Sequence, residues 1–553
     1  MKEIISIQVG GYANFVGSHF WNLQDELLGL QNDDERNSCF SNCGVNFDVL
    51  YRTGETRQGL PTYTPRLLAI DARGSLGTVK ATGSLYEQPV SLDAASVRSW
   101  EGKVSIHVSE PHIKNEFLQS LEQEDLEWNV QEQGNVSGSS TVKSGSRESR
   151  DEHKILQHLV DTVQFWTDYS KVQFHPLSLF QLEGVWHEAT PFDNYGSGKG
   201  IFSGFTEEEA LDRLRFFVEE ADHMQGLQML VDDSNGFATV ASEFLEAVND
   251  EYGKSPVFLF MVRPPSSLGK PMSVYEATVR DFHDAISFSA LNRSSSHVVP
   301  LGLSSFAEMS RYLHVVDGKN FHTGAVYAAA ISCMSLPLRM NVSEGRVIAS
   351  QKVYGGMDMR SLVQVLSGPM GRQVSTSELA MPAPTIPGTD KLEALESSRF
   401  RSLLQGVIKT EDQAASEAVV VQGASSLDAS VPASLQDVVN FFGRKDKLFY
   451  HLSASVCPLA VPLPFPSLLS SSGGRSSDVT SMSIATKLST SVSVLPYIEK
   501  RLLSLRQPRG SLGRQILEGW GLQKDDVQEF CESISNVVGA YRNIMAESAS
   551  DSE

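Results

Sequence analysis

What this chain has little of narrows the field before any motif is read. Cysteine is scarce: five in 553 residues, at Cys39, Cys43, Cys333, Cys457 and Cys531, with no CxxC pair. Neither a disulfide framework nor a zinc cluster is indicated, and a reducing compartment fits best. Basic residues are outnumbered, 46 Lys and Arg against 67 Asp and Glu, for a formal charge of −21. That field opposes sequence-independent attraction to nucleic acid or anionic lipid, so no nucleic-acid partner is expected. No stretch approaches the roughly 18 uninterrupted apolar residues of a membrane span. The best candidate, Ala325 to Leu338, is short and carries Ser332, Ser335 and Pro337, so any membrane association is expected to be peripheral. The opening MKEIISIQVGG has too short an apolar run for a secretory leader and reads as a strand. There is no GxxxxGK[ST] phosphate motif, no GxSxG elbow and no kinase signature. The histidines suggest no metal site, because His153 and His158 are off the helical i, i+4 spacing and His107 and His112 lack a third ligand.

What is present is an alternation of strand and helix patterns long enough for two or three packed units. Glu3 to Val9 is β-branched, Gly10 and Gly11 break it, and Ala13 to Leu27 carries apolar residues at helical spacing. A second apolar strand, Leu67 to Ile70, ends at Asp71. Thr206 followed by Glu207, Glu208 and Glu209 reads as a capping box opening a helix that aligns Leu211, Leu214, Phe217 and Val218. A strand at Leu227 to Val231, a helix at Thr239 to Tyr252 and a strand at Val257 to Val262 follow. This order predicts a largely parallel sheet covered on both faces. Ligands of such sheets bind beyond the carboxyl ends of the strands, which places the functional loops after Val9, Ile70 and Val231. Two polar stretches, 131–152 and 467–481, read as mobile linkers. Helical spacing returns at Pro496 to Leu505 and Asp525 to Met545, and the closing ESASDSE is expected to be a disordered acidic tail.

Several blocks carry a family resemblance. EIISIQVGGYANFVGSHFW resembles the first strand, phosphate loop and helix of tubulins, and DVLYRTGETRQGLPTYTPRLLAIDARGSL is similar to their second strand region. FDNYGSGKGIFSGFTEEEALDRLRFFVEEADHMQGLQ resembles the loop and helix before the tubulin glycine-rich signature. MDMRSLVQVLSGPMGRQVSTSELAMPAP is similar to the entry into the intermediate domain, and TSMSIATKLSTSVSVLPYIEKRL with LEGWGLQKDDVQEFCESISNVVGAYRNI to the last strand and C-terminal helices. True tubulins lack the segment from about Val104 to Glu188, and VGxHxWNxQDE followed by DVLYRTG resembles the Misato family. The resemblance implies an α/β fold: a tubulin/FtsZ-like, Rossmann-type parallel sheet, an α+β intermediate-like domain and C-terminal helices. Residues 1–103 and 189–345 would form the two parts of the nucleotide-binding fold, 104–188 a family-specific insertion, 346–481 the intermediate-like domain, and 482–553 the last strand, helices and tail.

Set against tubulins, the nucleotide loops look incomplete. Gly10, Gly11, Asp71, Asn194 and Gly236 keep the cofactor-binding positions, as a vestige of phosphate loops that work through closely approaching backbone N–H groups. The glycine-rich signature is matched by Asp232 to Thr239, where only Gly236 remains, Phe237 adds bulk and two carboxylates face where phosphate would lie. Asp71, Asp232 and Asp233 are oxygen donors suited to magnesium, but a solvated loop is the simpler reading and no metal is expected. Arg73 replaces an acid, Gly324 replaces the asparagine that reads guanine, and Ser361 stands where the catalytic acid would be, with Asp358 retained. The expectation is therefore no enzyme and no bound cofactor, with GTP as the alternative. The resemblance implies a regulator of mitochondrial distribution, morphology and fusion, cytoplasmic and peripheral on the mitochondrial outer membrane. Its partners would be proteins at that surface, with tubulin or the cytosolic chaperonin as further candidates. A filament-forming GTPase and a tubulin or spindle-microtubule factor are the rival readings.

Overall fold

The computed structural model describes residues 2–32, 43–55, 61–79, 112–123, 158–184, 191–268, 272–307, 313–341, 355–383, 400–407, 414–424, 435–442, 449–466, 480–506 and 510–550, with a few single positions between them. The stretch 131–152, Cys39, His107 and His153 lie outside these residues, as does most of 467–481.

The main sheet is built from strands whose residues are buried almost throughout. In chain order they are β1 (Glu3–Val9), β4 (Leu67–Ala72), β5 (Leu179–Leu182), β6 (Met224–Asp232), β7 (Val257–Arg263) and β8 (His297–Gly302), while β2 (Tyr51–Glu55) and β3 (Pro61–Pro65) pair as a separate hairpin. The six lie in the order β5-β4-β1-β6-β7-β8, every pairing parallel. Such a sheet is covered on both faces, which is why its strands read as continuous apolar runs. β5 comes from the segment set apart as an insertion, so the end of that segment is the edge of the main sheet.

Side chains alternate across β1. Ile5, Ile7 and Val9 join one core with α2 (Phe205–Glu219), α3 (Phe237–Tyr252) and α4 (Val274–Arg293). The opposite face carries Ile4 and Gln8 under α1 (Gly11–Asn32); a Cβ on Gly17 would stand 2.2 Å from the Gln8 side chain, so glycine lets the helix approach. Beside α1 runs α5 (Asn320–Met334), buried from Phe321 to Met334. This is the apolar stretch the sequence singles out, and it is apolar all round because it is walled in on every side. Among the described residues no helix is long and apolar enough to cross a membrane.

α5 lies between the main sheet and a second one, packing on the latter through Val420, Ile484 and Leu488. That sheet has the order β10-β9-β15-β11-β12, with β9 (Thr376–Ala380), β10 (Arg401–Ser402), β11 (Ala414–Gln422), β12 (Phe449–Ser455) and β15 (Ile484–Ser491). β11 and β12 are parallel and the other pairings antiparallel. A small ribbon of β13 (Leu459–Ala460) and β14 (Ser481–Met482) stands apart, while α6 (Met359–Ser367) and α7 (Leu435–Phe442) flank the second sheet. The two sheets meet at the edge of β8, where Val298 bridges Val374 and Gly302 bridges Leu404.

The chain closes with α8 (Leu495–Arg506), α9 (Gly510–Gly519) and α10 (Lys524–Ser550), so the last helix runs into the acidic end that reads as a tail. Two local expectations need correction. The capping box at Thr206 does not form: α2 starts one residue earlier, behind Gly204 at φ 59°, and no side chain caps it. Its buried residues are Ala210, Leu214 and Phe217, with Leu211 and Val218 on the flank.

α10 is fastened to the junction by Arg372 Nε, which donates to Ala540 O at 3.0 Å, and by a hydroxyl. Tyr541 is fully buried, and its OH accepts from Val374 N at 3.0 Å and donates to Val374 O. Tyr541→Phe leaves both backbone groups without a partner, so a loss of about 1–3 kcal/mol is expected, read as a lower urea midpoint at unchanged slope.

Candidate functional site

The loops at the carboxyl ends of β4, β1 and β6 converge, because these strands are neighbours. β1 ends in Gly10 at φ 99°, and a Cβ there would meet Asp232 Cβ at 2.8 Å and Phe237 Cγ at 2.9 Å. Only glycine satisfies both the backbone angle and the space. Gly11 then opens α1, whose first N–H groups have no partner within the helix.

Asp232 supplies one. Its carboxylate accepts from Tyr12 N at 3.3 Å, Ser234 N at 3.1 Å, Ser234 Oγ at 2.6 Å and Asn235 Nδ2 at 2.9 Å. It is buried, and burial, with the charge of Asp233 added, raises its pKa against the pull of those donors. Asp233 points elsewhere. It takes two hydrogen bonds of 3.0 Å from Arg263, which also reaches Asp284 at 2.8 Å, while His283 Nε2 donates to the Asp233 carbonyl at 2.8 Å. Burial disfavours the Asp284 carboxylate, yet Arg263 and Arg501 hold its pKa down to about 2. The reading of Asp232 and Asp233 as a solvated pair is thus corrected: each is 3% exposed, and their charges are matched by internal donors.

Asp71 is also enclosed. It accepts from Ala72 N at 2.7 Å, Asn14 Nδ2 at 2.9 Å and Trp166 Nε1 at 3.0 Å, and burial outweighs these donors to push its pKa up to about 6. Trp166 belongs to the segment read from the sequence as an insertion, as does Tyr169, whose OH donates to Phe15 O at 2.8 Å and whose ring centroid lies 4.8 Å from that of Phe321. Phe117 and Leu159 of the same segment join this cluster, over the start of α5. Tyr12 OH meets Thr323 Oγ1 at 2.9 Å beneath it.

Asn194 and Gly236 lie on the other flank. Asn194 caps the single helical turn Tyr195–Gly198, accepting from Ser197 N at 3.1 Å, so its amide oxygen is engaged locally. That turn is pinned to α3 by the Thr239 Oγ1 to Tyr195 O bond of 2.8 Å. Gly236 N donates to Phe192 O at 3.2 Å, and a Cβ on Gly236 would stand 2.6 Å from the Phe192 ring. Phe192 stacks edge-on against Phe237 at 4.9 Å and lies 4.6 Å from Trp186. Gly10, Gly11, Asp71, Asn194 and Gly236 therefore gather around one set of strand ends, among aromatic rings. Arg73 is exposed, and Gly324 lets α5 touch α1, a Cβ there lying 3.5 Å from the Phe15 and Val16 backbone. Asp358 caps α6 through Ser361 N at 2.9 Å and pairs with Lys2 at 2.7 Å; these donors outweigh burial and hold its pKa at about 2. Among the described residues no three His, Cys, Asp or Glu converge as metal ligands.

Residues 2–123 match the Misato Segment II tubulin-like domain, and residues 156–340 match the Tubulin domain. Protein misato homolog 1 of Pongo pygmaeus is 32% identical over 71% of this chain and 67% of its own. The chain belongs to the Misato family. Similarity extends to Protein misato homolog 1 of Mus musculus, 28% identical over 98% of each chain, and to Protein dml1 of Aspergillus clavatus, 28% identical over 62% of this chain and 61% of its own. The Misato resemblance and the tubulin-like α/β fold expected from the sequence both hold.

Sequence reasoning missed Trp166 and Tyr169, which reach the loops from the inserted segment, Trp166 from 95 residues beyond Asp71. It also missed Arg263, although a guanidinium closing the apolar strand VFLFMVR is itself a signal that an acid waits nearby.

Arg263→Met leaves the buried carboxylate of Asp233 without its cation, and a loss of about 3–5 kcal/mol is expected in urea unfolding. Asp71 gives a pH signature. Its folded pKa lies above the ordinary carboxylate value, so the folded chain keeps a proton that the unfolded chain releases. The resulting stabilisation is full below about pH 4 and lost as pH rises through 6, a swing of up to about 3 kcal/mol. Subtracting the pH–melting curve of Asp71→Asn from that of the parent should isolate this fall.

Proposed function

We propose that this chain is a non-enzymatic regulator of mitochondrial distribution, morphology and fusion that uses its tubulin-like body as a scaffold, with a nucleotide site degenerate in its phosphate loops. The observation that carries this reading is the Asp232 carboxylate on Tyr12 N. An anion at a helix N-terminus is stabilised by the free N–H groups and the helix dipole. Here a side chain of the protein takes that position, and a triphosphate would meet a second negative charge there. The aromatic packing of Phe237 on Gly10 and the closure of Asp71 under Trp166 support the same conclusion. The tubulin-like loops keep their architecture and spend their donors internally.

The cellular part of the proposal rests on membership of the Misato family and on the tubulin-like body. Placement is proposed as cytoplasmic and peripheral at the mitochondrial outer surface. Proteins of that surface are the proposed partners, and tubulin or the cytosolic chaperonin are candidates to be sought in the same pull-down.

The test begins with purified protein: denature it, identify any released nucleotide by chromatography, then titrate fluorescent GTP with and without magnesium. An empty protein without measurable GTP affinity or turnover, whose depletion from cells still fragments or clusters mitochondria, is the expected result. Stoichiometric guanine nucleotide, or GTP-driven assembly, would sink the scaffold reading in favour of a working GTPase.

A further inference from the structure

On the far side of α1 from these loops lies a buried arginine that has no acid beside it among the described residues. Arg339 follows α5 and is 3% exposed. Its Nη1 donates to Gln24 Oε1 and its Nη2 to Ser332 O at 2.6 Å, while Nε has no partner. The Phe20 ring lies 5.7 Å away. The groups that act on its charge are the Tyr51 hydroxyl and the thiols of Cys333 and Cys43, and no carboxylate is among them. Burial pulls the guanidinium down to about 10, which leaves it charged at neutral pH. Asp233, Arg263 and Asp284 answer one another as ionic partners, and Asp232 and Asp71 are each met by at least three donors, whereas Arg339 has neither a full set of acceptors nor, among the described residues, an ionic partner. A guanidinium buried without one is costly, because two neutral acceptors and a ring do not replace a counter-charge.

Arg339 lines a cavity of about 20 Å3 where α1, the end of α5 and the ends of β11 and β12 meet. Gln24, Cys43, Ser332, Gln422, Ser455 and Cys457 complete the polar part of its wall. The volume suits one particle the size of a water molecule. Ser455 Oγ accepts from Cys457 N at 3.2 Å and keeps its own proton to donate, and Arg339 Nε is a buried donor without a partner. A neutral water would satisfy the geometry and leave the charge uncompensated. We infer that this cavity is a binding site for a small monovalent anion of the halide class, held by Arg339 at the joint between α1, α5 and the second sheet. The ion completes the ionic balance of the joint, so its occupancy stiffens the attachment of the second sheet to the nucleotide-type half.

The probe is bromide, which reports itself by anomalous scattering. Crystals of the full chain grown or soaked in sodium bromide should show an anomalous peak against Arg339. In solution, replacing gluconate with bromide at constant ionic strength should raise the melting temperature by a few degrees and saturate. Arg339→Met, which keeps much of the stem and removes the charge, should abolish both the peak and the halide dependence. A cavity holding only water, or no peak at all, overturns the inference even if the variant does not fold. A peak without a saturable rise in melting temperature, or one that persists in Arg339→Met, is binding at crystal concentration only and overturns it as well.

Discussion

The contact between the Asp232 carboxylate and the Tyr12 N–H in the first turn of α1 organises much of what surrounds it. β1 and β6 are adjacent and parallel, so their ends are brought level and the acid at the end of one faces the helix that follows the other. Once a carboxylate sits there, the glycine before the helix must leave room for it, and Gly10 does so at an angle other residues avoid. The rest of the loop then folds inward, Ser234 and Asn235 turning back on the same acid. The loop after β6 thus surrounds a side chain of its own. Its neighbour Asp233 is thereby directed to the opposite face, where Arg263 receives it.

The segment read as an insertion acts on the same region from the other direction. Trp166 hydrogen-bonds Asp71 and Tyr169 leans on Phe321, so Asp71 and the start of α5 are both roofed from that segment. An enclosed Asp71 is tolerable because it accepts from protein donors and carries its proton up to about pH 6. Together the inward-turned Asp232 and the cover over Asp71 make these strand ends packed interior.

Much of the fold was legible because parallel strands announce themselves as apolar runs. Glu3–Val9 has the expected bounds, and Val257–Arg263 extends the expected strand by a single residue, the arginine. Helix ends were less legible. The Thr-Glu-Glu-Glu pattern at 206 had the composition of a cap, but Gly204 with its positive φ had already turned the chain. At the site, which residues gather was readable from strand order, whereas what they do was not. Two adjacent acids in a polar loop look solvated when read in one dimension, and their burial follows from donors on Tyr12 and Arg263, each about 30 residues or more away. Asn194 likewise kept its identity while its amide went to a local cap.

The position of β1 in the middle of the main sheet has a consequence for the order in which the chain is made. β1 leaves the ribosome before both of its neighbours, β4 on one side and β6 on the other, and the helix after it reaches Thr323 through Tyr12, a separation of 311 residues. At ordinary elongation rates β1 waits roughly 10–40 s for β6 to appear, and longer for α5. Through that interval a seven-residue strand that is buried along its whole length in the finished protein has its β6 edge open, even once β4 has been made. Such an edge recruits whatever strand comes first. Biogenesis of this chain is therefore a problem of shielding β1 until β6 arrives.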